Sequence, residues 1–503
     1  MNKAWLSVVL MAVYPIIILA SGNIGEVVFH DLLWPLISSV ALSLLLYMLV
    51  SKLTGDKYIS ALAVVITLVF FYFYGHFFYS YISGKQLLEV TIGRHRFFYP
   101  VWGAGYLLVL YVIFKGRQMS TEIVKFLNYT LSFLLLVTLL PLLAGGAFSL
   151  FDTASMPAPS NDSAKNNSSE QVAHSNEHPD IYYIVLDGYA ADETLLNVYN
   201  YDNSDFTNEL RSKGFFIADR ALANHSYTYL ALNASLNMMY MDFLGKEGHE
   251  ATLNELGDKI GNNKVARELK KQGYRYVTYD SGYSVTARNS LADQNIGCAL
   301  LSEFDRTLIR TTMLDPFFLY GGIRERILCQ FSSLATVDQS GPDFVFAHII
   351  APHPPFVFDK DGGTVSMNAE LNPWSNKRNY VNQLQFTNVK VRELVDRIIE
   401  QHEQPPIIII QSDHGPASSG TEEMNDPSIT LLKERMRVLN MFYVPDDIRS
   451  KLYREITPIN TFRLILDELF DTEYGLVEDK SLFTPIGKAK KTFDDVTEIV
   501  RYE

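Results

Sequence analysis

Asp187 is the first residue whose type and position could support chemistry. It directly follows the short apolar run IYYIVL (181–186), which is rich in strand-forming residues. A carboxylate placed after a buried strand can serve as a ligand for a hard metal ion. The Asp-Gly pair also suits a simple turn with no chemical role. Asp187 alone does not decide between these two interpretations.

Thr228 ends the segment Asn-His-Ser-Tyr-Thr (224–228), which the helical pattern YLALNASLNMMYM follows. A helix N-terminus there would favour an anion such as a phosphoryl group. A nearby metal could lower the pKa of the hydroxyl and make Thr228 a nucleophile. The alternative is that Ser226 or Thr228 only caps the helix.

His353 lies between prolines in HIIAPHPPF (348–356), after the predicted strand DFVFA. This stiff segment could hold an imidazole at a fixed position. There His353 could bind a metal, or donate a hydrogen bond to a phosphoryl or leaving-group oxygen. His348, within the strand end, is interpreted as structural, and the prolines alone would also suit an ordinary loop.

Asp413 and His414 follow the very apolar strand in IIIIQSDHG (407–415), and they are the most specific single feature. A mixed Asp and His ligand set suits zinc or manganese. A carboxylate, a hydroxyl, a histidine and an Asp-His pair thus occur in this order, each beyond a strand or at a helix start. Their joint occurrence predicts a metal-dependent site.

The elements that must position these residues form an α/β pattern from residue 180 onward. Apolar strands alternate with helical patterns, which predicts a mostly parallel sheet covered by helices on both faces. Such a sheet places ligands beyond the carboxyl ends of its strands. The strands are predicted at 181–186, 274–279, 343–350, 407–412 and 438–444, and the helices at 203–213, 263–272, 379–402 and 457–469.

The first 150 residues are a hydrophobic block of different character. Five stretches free of Asp, Glu, Lys and Arg are each about long enough to cross a hydrocarbon core of about 30 Å. They leave almost no polar face, so a bundle of five transmembrane helices is favoured over buried core helices. The stretches are 4–20, 32–50, 58–82, 97–114 and 126–149.

The two parts differ in their balance of charged residues, and the net charge of the chain disfavours some classes of function. Residues 1–150 hold 9 Lys and Arg against 5 Asp and Glu, whereas the whole chain has a net charge of −13. A chain this acidic is a poor candidate for nucleic-acid binding. The two cysteines, Cys298 and Cys329, exclude a disulfide-rich scaffold and a zinc site of four thiolates. They are predicted either to form one disulfide or to remain two buried thiols.

The loop charges predict the orientation in the membrane. A cytoplasmic N-terminus places six basic residues inside and three outside, in agreement with the positive-inside rule. Everything after residue 150 is then external, and cleavage of the first span as a signal segment would leave the same side external. The inside residues are Lys3, Lys52, Lys57, Lys115, Arg117 and Lys125, and the outside ones are Lys85, Arg94 and Arg96.

Two further features concern the membrane side. Residues 151–179 are rich in Ser, Asn, Pro and Ala without apolar periodicity, which predicts a flexible linker. His76, Arg94, His95 and Arg96 lie near the external ends of the third and fourth spans. They are interpreted as interfacial anchors or, alternatively, as a site for an anionic lipid headgroup.

Five of these segments resemble the alkaline phosphatase/sulfatase superfamily, in its membrane-anchored branch with a sulfatase domain. That branch includes phosphoethanolamine transferases and lipoteichoic acid synthases. The segments are DIYYIVLDGY, SYTYLALNASLNM, APHPPF, QSDHG and TPINTFRLIL. The resemblance implies an alkaline-phosphatase-like fold and three regions: a transmembrane anchor (1–150), a flexible linker (151–179) and an extracytoplasmic catalytic domain (180–503).

The same resemblance implies the roles of the site residues. Asp187, Thr228, Asp413 and His414 would bind one divalent metal ion, zinc, manganese or magnesium. Thr228 would be the nucleophile, and His353 would contact the phosphoryl group of the substrate. Three departures stand out: Asp187 replaces the usual Glu, Pro-Ala-Ser-Ser follows Asp-His-Gly, and the Cys/Ser-x-Pro-x-Arg motif of true sulfatases is missing around Thr228.

The expected function is therefore phosphoryl transfer in the bacterial cell envelope and not sulfate-ester hydrolysis. The enzyme would move a phosphoethanolamine- or phosphoglycerol-type group from a phospholipid or other phosphodiester to a glycolipid or polysaccharide. It would sit in the cytoplasmic (inner) membrane of a bacterium. A phosphodiesterase or phosphatase would use the same residues, and a non-catalytic envelope-binding protein is the third interpretation.

Overall fold

The structure is a computed structural model of the chain. It describes residues 3–22, 29–83, 85–87, 90–91, 93–144, 178–246, 253–287, 289–298, 303–336, 341–365, 373–485 and 492–502. The predicted linker, 151–179, lies outside the described residues except for its last two positions.

The N-terminal region is helical, as the apolar stretches predict. Asp56 caps α3, since its Oδ1 accepts hydrogen bonds from the backbone N–H groups of Tyr58 at 2.9 Å and Ile59 at 3.2 Å. The elements are α1 (Ala4–Gly22), α2 (Phe29–Thr54), α3 (Lys57–Tyr72), α4 (Tyr74–Phe77) with a π-helical turn (Phe78–Ile82), the strand pair β1 (Gln86–Leu87) and β2 (Val90–Thr91), α5 (His95–Lys115) and α6 (Ser120–Ala144).

The predicted five spans correspond to four straight helices and one broken pair. Among the described residues, α1, α2, α5 and α6 are each long and apolar enough to cross a membrane. The third predicted span is the pair Lys57–Tyr72 and Tyr74–Ile82, which bends by 46° at its break and counts as a fifth span if both halves form one crossing.

The rest of the described chain alternates strands and helices. Its elements are β3 (Ile181–Leu186), α7 (Asp192–Tyr199), α8 (Ser204–Ser212), β4 (Phe216–Ile217), α9 (Thr228–Asn237), α10 (Leu253–Gly261), α11 (Lys264–Lys271), β5 (Arg275–Tyr279), α12 (Ser284–Ala287), β6 (Gln294–Ile296), α13 (Glu303–Thr311), α14 (Asp315–Ser333), β7 (Asp343–Ile349), α15 (Lys377–Gln401), β8 (Ile407–Gln411), α16 (Ile429–Met436), β9 (Asn440–Tyr443), α17 (Asp446–Arg449), α18 (Pro458–Phe470), β10 (Leu482–Phe483), β11 (Asp494–Asp495) and α19 (Thr497–Val500).

Seven of these strands form one sheet in the order β4-β9-β8-β3-β7-β5-β6. The strand β3 lies in the middle and pairs in parallel with both β7 and β8. The strand β9 is antiparallel to β8 and to β4. The expected mostly parallel sheet is therefore confirmed, with one strand reversed.

Helices cover both faces of this sheet, which explains the unbroken apolar runs of its strands. All six residues of β3 are buried. On one face, Tyr183 packs in a core that includes Leu232 of α9 and Phe462 of α18. On the other face, the ring of Tyr182 lies 5.6 Å from that of His402, at the end of α15.

The described residues divide into two compact units. One unit holds those within 1–170 together with those within 300–321, and the other holds the remainder. In the first unit, Phe304 and Leu308 of α13 pack in an apolar cluster with Ala12, Val64 and Leu131. A short stretch from the predicted catalytic domain thus groups with the N-terminal helices.

Cys298 and Cys329 form a disulfide, with Cα atoms 5.4 Å apart. This decides between the two alternatives left open for the cysteines. The bond joins the segment after β6 to the last turns of α14.

Candidate metal and phosphoryl-transfer site

The candidate site lies at the carboxyl ends of β3, β7 and β8. Because these strands pair in register, the residues that follow them are brought side by side. The N–H of Asp187 donates to the carbonyl of Ile349 at 3.0 Å, and the N–H of Gly188 donates to Asp413 Oδ1 at 3.2 Å. Two segments that lie 225 residues apart in sequence thereby share one edge of the sheet.

Thr228 is the first residue of α9, and its side chain faces the Asp-His pair. Its Oγ1 lies 3.0 Å from His414 Nε2. Neither Ser226 nor Thr228 is the N-cap of α9, because that position is Tyr227, which makes no side-chain capping hydrogen bond. The Ser226 hydroxyl instead accepts from the Thr484 N–H at 3.0 Å. The Thr228 hydroxyl is thus placed for chemistry and not used to start the helix.

Asp187, Asp413 and His348 present ligand atoms that all lie within 4.8 Å of one another. His348 Nε2 is 3.3 Å from Asp187 Oδ2. Among the described residues, Asp187 Oδ1, Asp413 Oδ2 and His348 Nε2 are buried without a hydrogen-bond partner. Since unpaired buried polar atoms are costly, three of them facing each other fit a bound cation.

His414 completes this arrangement. Its Nε2 lies 3.3 Å from Asp413 Oδ2 and 3.8 Å from Asp187 Oδ1. Its Nδ1 lies 3.0 Å from the Gly415 carbonyl oxygen, which holds the ring in one orientation. Burial and the nearby Arg435 guanidinium hold the pKa of His414 well below its ordinary value. A neutral imidazole is the form that binds metals.

The two carboxylates are electrostatically coupled. Burial and the charge of Asp187 raise the pKa of Asp413 to about 7. Burial also opposes ionisation of Asp187, but interactions with the imidazoles of His353, His348 and His414 outweigh it and lower the pKa of Asp187. A pair of this kind cannot ionise fully without a compensating positive charge, which a divalent cation supplies.

His353 lies on the same side of the site, held by its backbone. Its N–H donates to the Asp187 carbonyl at 3.0 Å, and its own carbonyl accepts from Gln383 Nε2 at 2.9 Å. The ring packs edge-on against Trp374, with centroids 4.7 Å apart. Its centroid is 6.3 Å from that of His414. His353 is therefore adjacent to the carboxylates and is held by α15 through Gln383.

A cavity of about 420 Å³ opens over these residues. Its lining includes the polar side chains of Thr228, His353, His414 and Arg435, and apolar side chains such as Ile323, Ile327 and Ile350. Such a mixture of convergent polar groups and apolar surface is typical of a binding site for an organic substrate.

The structure brings together every site residue that the sequence predicts: Asp187, Thr228, His353, Asp413 and His414. It adds His348, which sequence reasoning treated as structural although it shares a segment with His353. It also adds Arg435, whose Nε and Nη1 donate to the carbonyls of Ser226 at 2.9 Å and Gly415 at 2.7 Å. No local motif marks Arg435, because its burial beside the carboxylates depends on tertiary packing.

Comparisons with solved structures give distant similarities. The C-terminal periplasmic domain of EcEptC from Escherichia coli is 13% identical, with a TM-score of 0.43, over 64% of this chain and 94% of that chain. Lipooligosaccharide phosphoethanolamine transferase A from Neisseria meningitidis is 12% identical, with a TM-score of 0.38, over 92% and 94%. The lipoteichoic acid synthase LtaP from Listeria monocytogenes is 10% identical, with a TM-score of 0.41, over 65% and 86%.

No curated protein sequence matches the chain. The family model described as Sulfatase matches residues 179–471, which is more than half of the chain and includes all five predicted site residues. The chain therefore belongs to the Sulfatase family.

Proposed function

We propose that the protein is a membrane-anchored, metal-dependent phosphoryl-group transferase of the phosphoethanolamine- or phosphoglycerol-transferring type, with Thr228 as its nucleophile. The observation that carries this proposal is the distance of 3.0 Å between Thr228 Oγ1 and His414 Nε2, beside two buried carboxylates with unpartnered oxygens. A hydroxyl at a helix start, next to a cation-binding cluster, is suited to attack phosphorus.

Asp187, Thr228, Asp413 and His414 would hold one divalent cation, and His348 would be a further ligand. The mixed oxygen and nitrogen donors favour zinc or manganese over magnesium. When bound, the cation would lower the pKa of the Thr228 hydroxyl and offset negative charge on the phosphoryl oxygens. The orphaned ligand atoms of Asp187, Asp413 and His348 support this assignment.

The reaction would be a double displacement. Thr228 Oγ1 loses its proton to solvent and attacks phosphorus in line, and the bond between phosphorus and the donor alkoxide breaks. His353 donates a proton to the departing alkoxide, which leaves a phosphothreonine. An acceptor hydroxyl then attacks the same phosphorus, its proton passes to His353, and the bond to Thr228 Oγ1 breaks. Thr228 Oγ1 takes a proton back from solvent. The backbone contacts of His353 with Asp187 and Gln383 keep its ring beside the site during both steps.

The proposed donor is a phospholipid or a similar phosphodiester, and the proposed acceptor is a glycolipid or polysaccharide of the cell envelope. The catalytic domain, residues 180–503, would lie on the external side of the bacterial cytoplasmic membrane, tethered by the linker 151–179. Anchoring near the bilayer raises the effective concentration of a lipid donor. The apolar side chains that line the cavity, such as Ile323, Ile327 and Ile350, support a donor with a hydrophobic part.

Trapping the covalent intermediate tests this function. The full-length protein in detergent is incubated with a headgroup-labelled phospholipid, and labelled peptides are identified by mass spectrometry. We expect label on Thr228 and then on an added envelope glycolipid. Thr228→Ala should remove both signals, Thr228→Ser should keep part of them, and excess chelator should suppress both.

The competing functions give different results in the same experiment. Label that passes through Thr228 but ends only in water-soluble products would indicate a hydrolase and contradict transfer. Unimpaired function in cells carrying Thr228→Ala would indicate a non-catalytic binding protein. Full activity in excess chelator would refute the metal role.

A further inference from the structure

A buried arginine in the cavity wall is not used by the proposed reaction. Arg326 lies on α14, is only 3% exposed and lines the cavity that contains Thr228. Its Nε is 3.5 Å from Asp280 Oδ2. Neither Nε nor Nη2 has a hydrogen-bond partner among the residues that the structure describes. The ion pair with Asp280 is thus too poorly aligned to satisfy the guanidinium.

The position of Arg326 is fixed from several sides. Gly282 has a φ of +76°, and a Cβ at that position would lie 2.0 Å from Arg326 Nη1. Only glycine therefore lets the loop after β5 pass so close to the guanidinium. One turn further along α14, Cys329 is bonded to Cys298, and Gln330 donates from Nε2 to the His348 carbonyl at 2.9 Å. These contacts hold the part of α14 that carries Arg326 beside β7.

The energetic cost of burying Arg326 indicates that its guanidinium lacks a complete anionic partner. Burying a guanidinium is costly unless its N–H groups are paired. Asp280 compensates only in part, because its Oδ2 lies 3.5 Å from Nε and forms no hydrogen bond with it. The other cavity arginine, Arg435, is different, since two of its nitrogens donate to backbone carbonyls. Of these two arginines, Arg326 is therefore the one with unpaired N–H donors.

We propose that Arg326 binds a second anionic group of the substrate, a phosphate or a carboxylate, separate from the phosphoryl group that reacts at Thr228. The apolar side chains of Ile323 and Ile327, on the same helix, would contact the carbon chain between the two anionic groups. A planar guanidinium with two free donors can hold two oxygens of one anion at once. This inference rests on the proposed function, because it assigns a specificity-determining residue to the same cavity.

Binding of matched phosphonates tests this subsite without turnover. Alkylphosphonates and ω-carboxyalkylphosphonates of equal length, with two to five methylenes, are titrated calorimetrically into the metal-loaded full-length protein. We expect the carboxylated ligand to bind at least fivefold more tightly at one length. Arg326→Met should remove that preference while leaving the affinity for alkylphosphonates within about twofold. Arg326→Lys should keep part of the preference, because it retains the charge.

Two outcomes would overturn the proposal: no carboxylate preference at any length in the wild type, or a preference that survives Arg326→Met. Because Arg326→Met also removes the ion pair with Asp280, the double variant D280N/R326M is the matched control for folding. It removes both charges and should lack the preference as well. If the double variant kept the preference, Arg326 would have only a structural role.

The labelled-lipid experiment separates this proposal from the proposed function and locates the anion. An Arg326-dependent preference without phosphothreonine would contradict transfer and support the subsite, and normal transfer without the preference would do the reverse. In Arg326→Met, slow formation of phosphothreonine would place the second anion on the donor. Normal formation with slow discharge would place it on the acceptor.

Discussion

At the scale of single residues, the site combines side chains that follow a strand or begin a helix with side chains that lie inside regular elements. Asp187, Thr228, Asp413 and His414 are visible because each adjoins an apolar run or a helix start. His348, Arg326 and Arg435 are not visible in this way. They lie inside β7, α14 and α16, and only tertiary packing brings their side chains to the site.

His348 provides a prediction about metal affinity. The Thr286 hydroxyl lies 2.9 Å from His348 Nδ1, which leaves Nε2 facing Asp187. We expect His348→Ala to weaken binding of zinc or manganese tenfold or more. Thr286→Val should weaken it by a smaller factor, because Thr286 orients the His348 ring and does not itself bind the metal. Competition with a fluorescent chelator measures both affinities.

A matched control for this prediction is His402, a buried histidine at the opposite end of β3 that pairs with Asp180 at 2.9 Å. His402→Ala should leave the metal affinity within about twofold. If His348→Ala bound metal as tightly as the wild type, His348 would have the structural role that its position in the strand first suggested.

The pair of His402 and Asp180 makes stability depend on pH. Burial alone would lower the pKa of His402, but hydrogen bonds to the Asp180 carboxylate and the Ile398 carbonyl outweigh it and raise this pKa. A histidine whose pKa is raised by folding stabilises the folded state below its unfolded pKa of about 6.5. This contribution is lost as the pH rises through the higher folded value.

The melting temperature of the catalytic domain should therefore fall from pH 6 upward by more in the wild type than in His402→Gln. Thermal unfolding in detergent, followed by tryptophan fluorescence at several pH values, measures the difference between the two proteins. Parallel pH profiles of wild type and His402→Gln would show that this pair does not stabilise the fold.

At the scale of elements, the sequence predicts the strands that carry the site. Strands predicted at 181–186 and 407–412 are observed at Ile181–Leu186 and Ile407–Gln411, because continuous apolar runs suit strands buried on both faces. The reversed direction of β9 could not be predicted in this way. Burial and strand propensity are the same for either direction, so the apolar pattern of 438–444 does not show which way the strand runs.

The disulfide between Cys298 and Cys329 supports the element that carries Arg326. It closes a segment of 31 residues, and a loop of that length is expected to add about 3.7 kcal/mol by restricting the unfolded chain. We expect the double variant C298S/C329S to melt at a lower temperature than the wild type, and the carboxylate preference to decrease. Fluorescence-detected melting and the phosphonate titration measure the two effects.

Addition of a reductant to the wild type should reproduce both effects, whereas the double variant should not respond to it. A wild-type melting temperature that does not change on full reduction would mean that packing alone holds α14 in place. A lower melting temperature with an unchanged carboxylate preference would mean that the disulfide stabilises the domain without positioning Arg326.

At the scale of the whole molecule, composition divides the chain into a hydrophobic N-terminal block and an acidic remainder, and this division predicts a membrane anchor. It does not predict that α13 packs with the N-terminal helices. The pattern of α13 is that of an ordinary amphipathic helix, and only contacts in the fold show that Phe304 and Leu308 meet apolar neighbours from α1, α3 and α6.

The bent pair Lys57–Tyr72 and Tyr74–Ile82 decides the topology. If the pair crosses the membrane, the loop that follows it lies on the opposite side from the loop before it; if the pair is re-entrant, both loops lie on the same side. With a cytoplasmic N-terminus, five crossings put the loop around residue 85 and everything after residue 150 outside. We expect alkaline phosphatase to be active when fused after residues 85 and 150 and inactive when fused after residues 55 and 116.

A re-entrant pair would reverse the results at residues 85, 116 and 150 while leaving residue 55 inside, and the catalytic domain would then lie in the cytoplasm. Since that location would remove the external envelope acceptor, the same four fusions also test the proposed function.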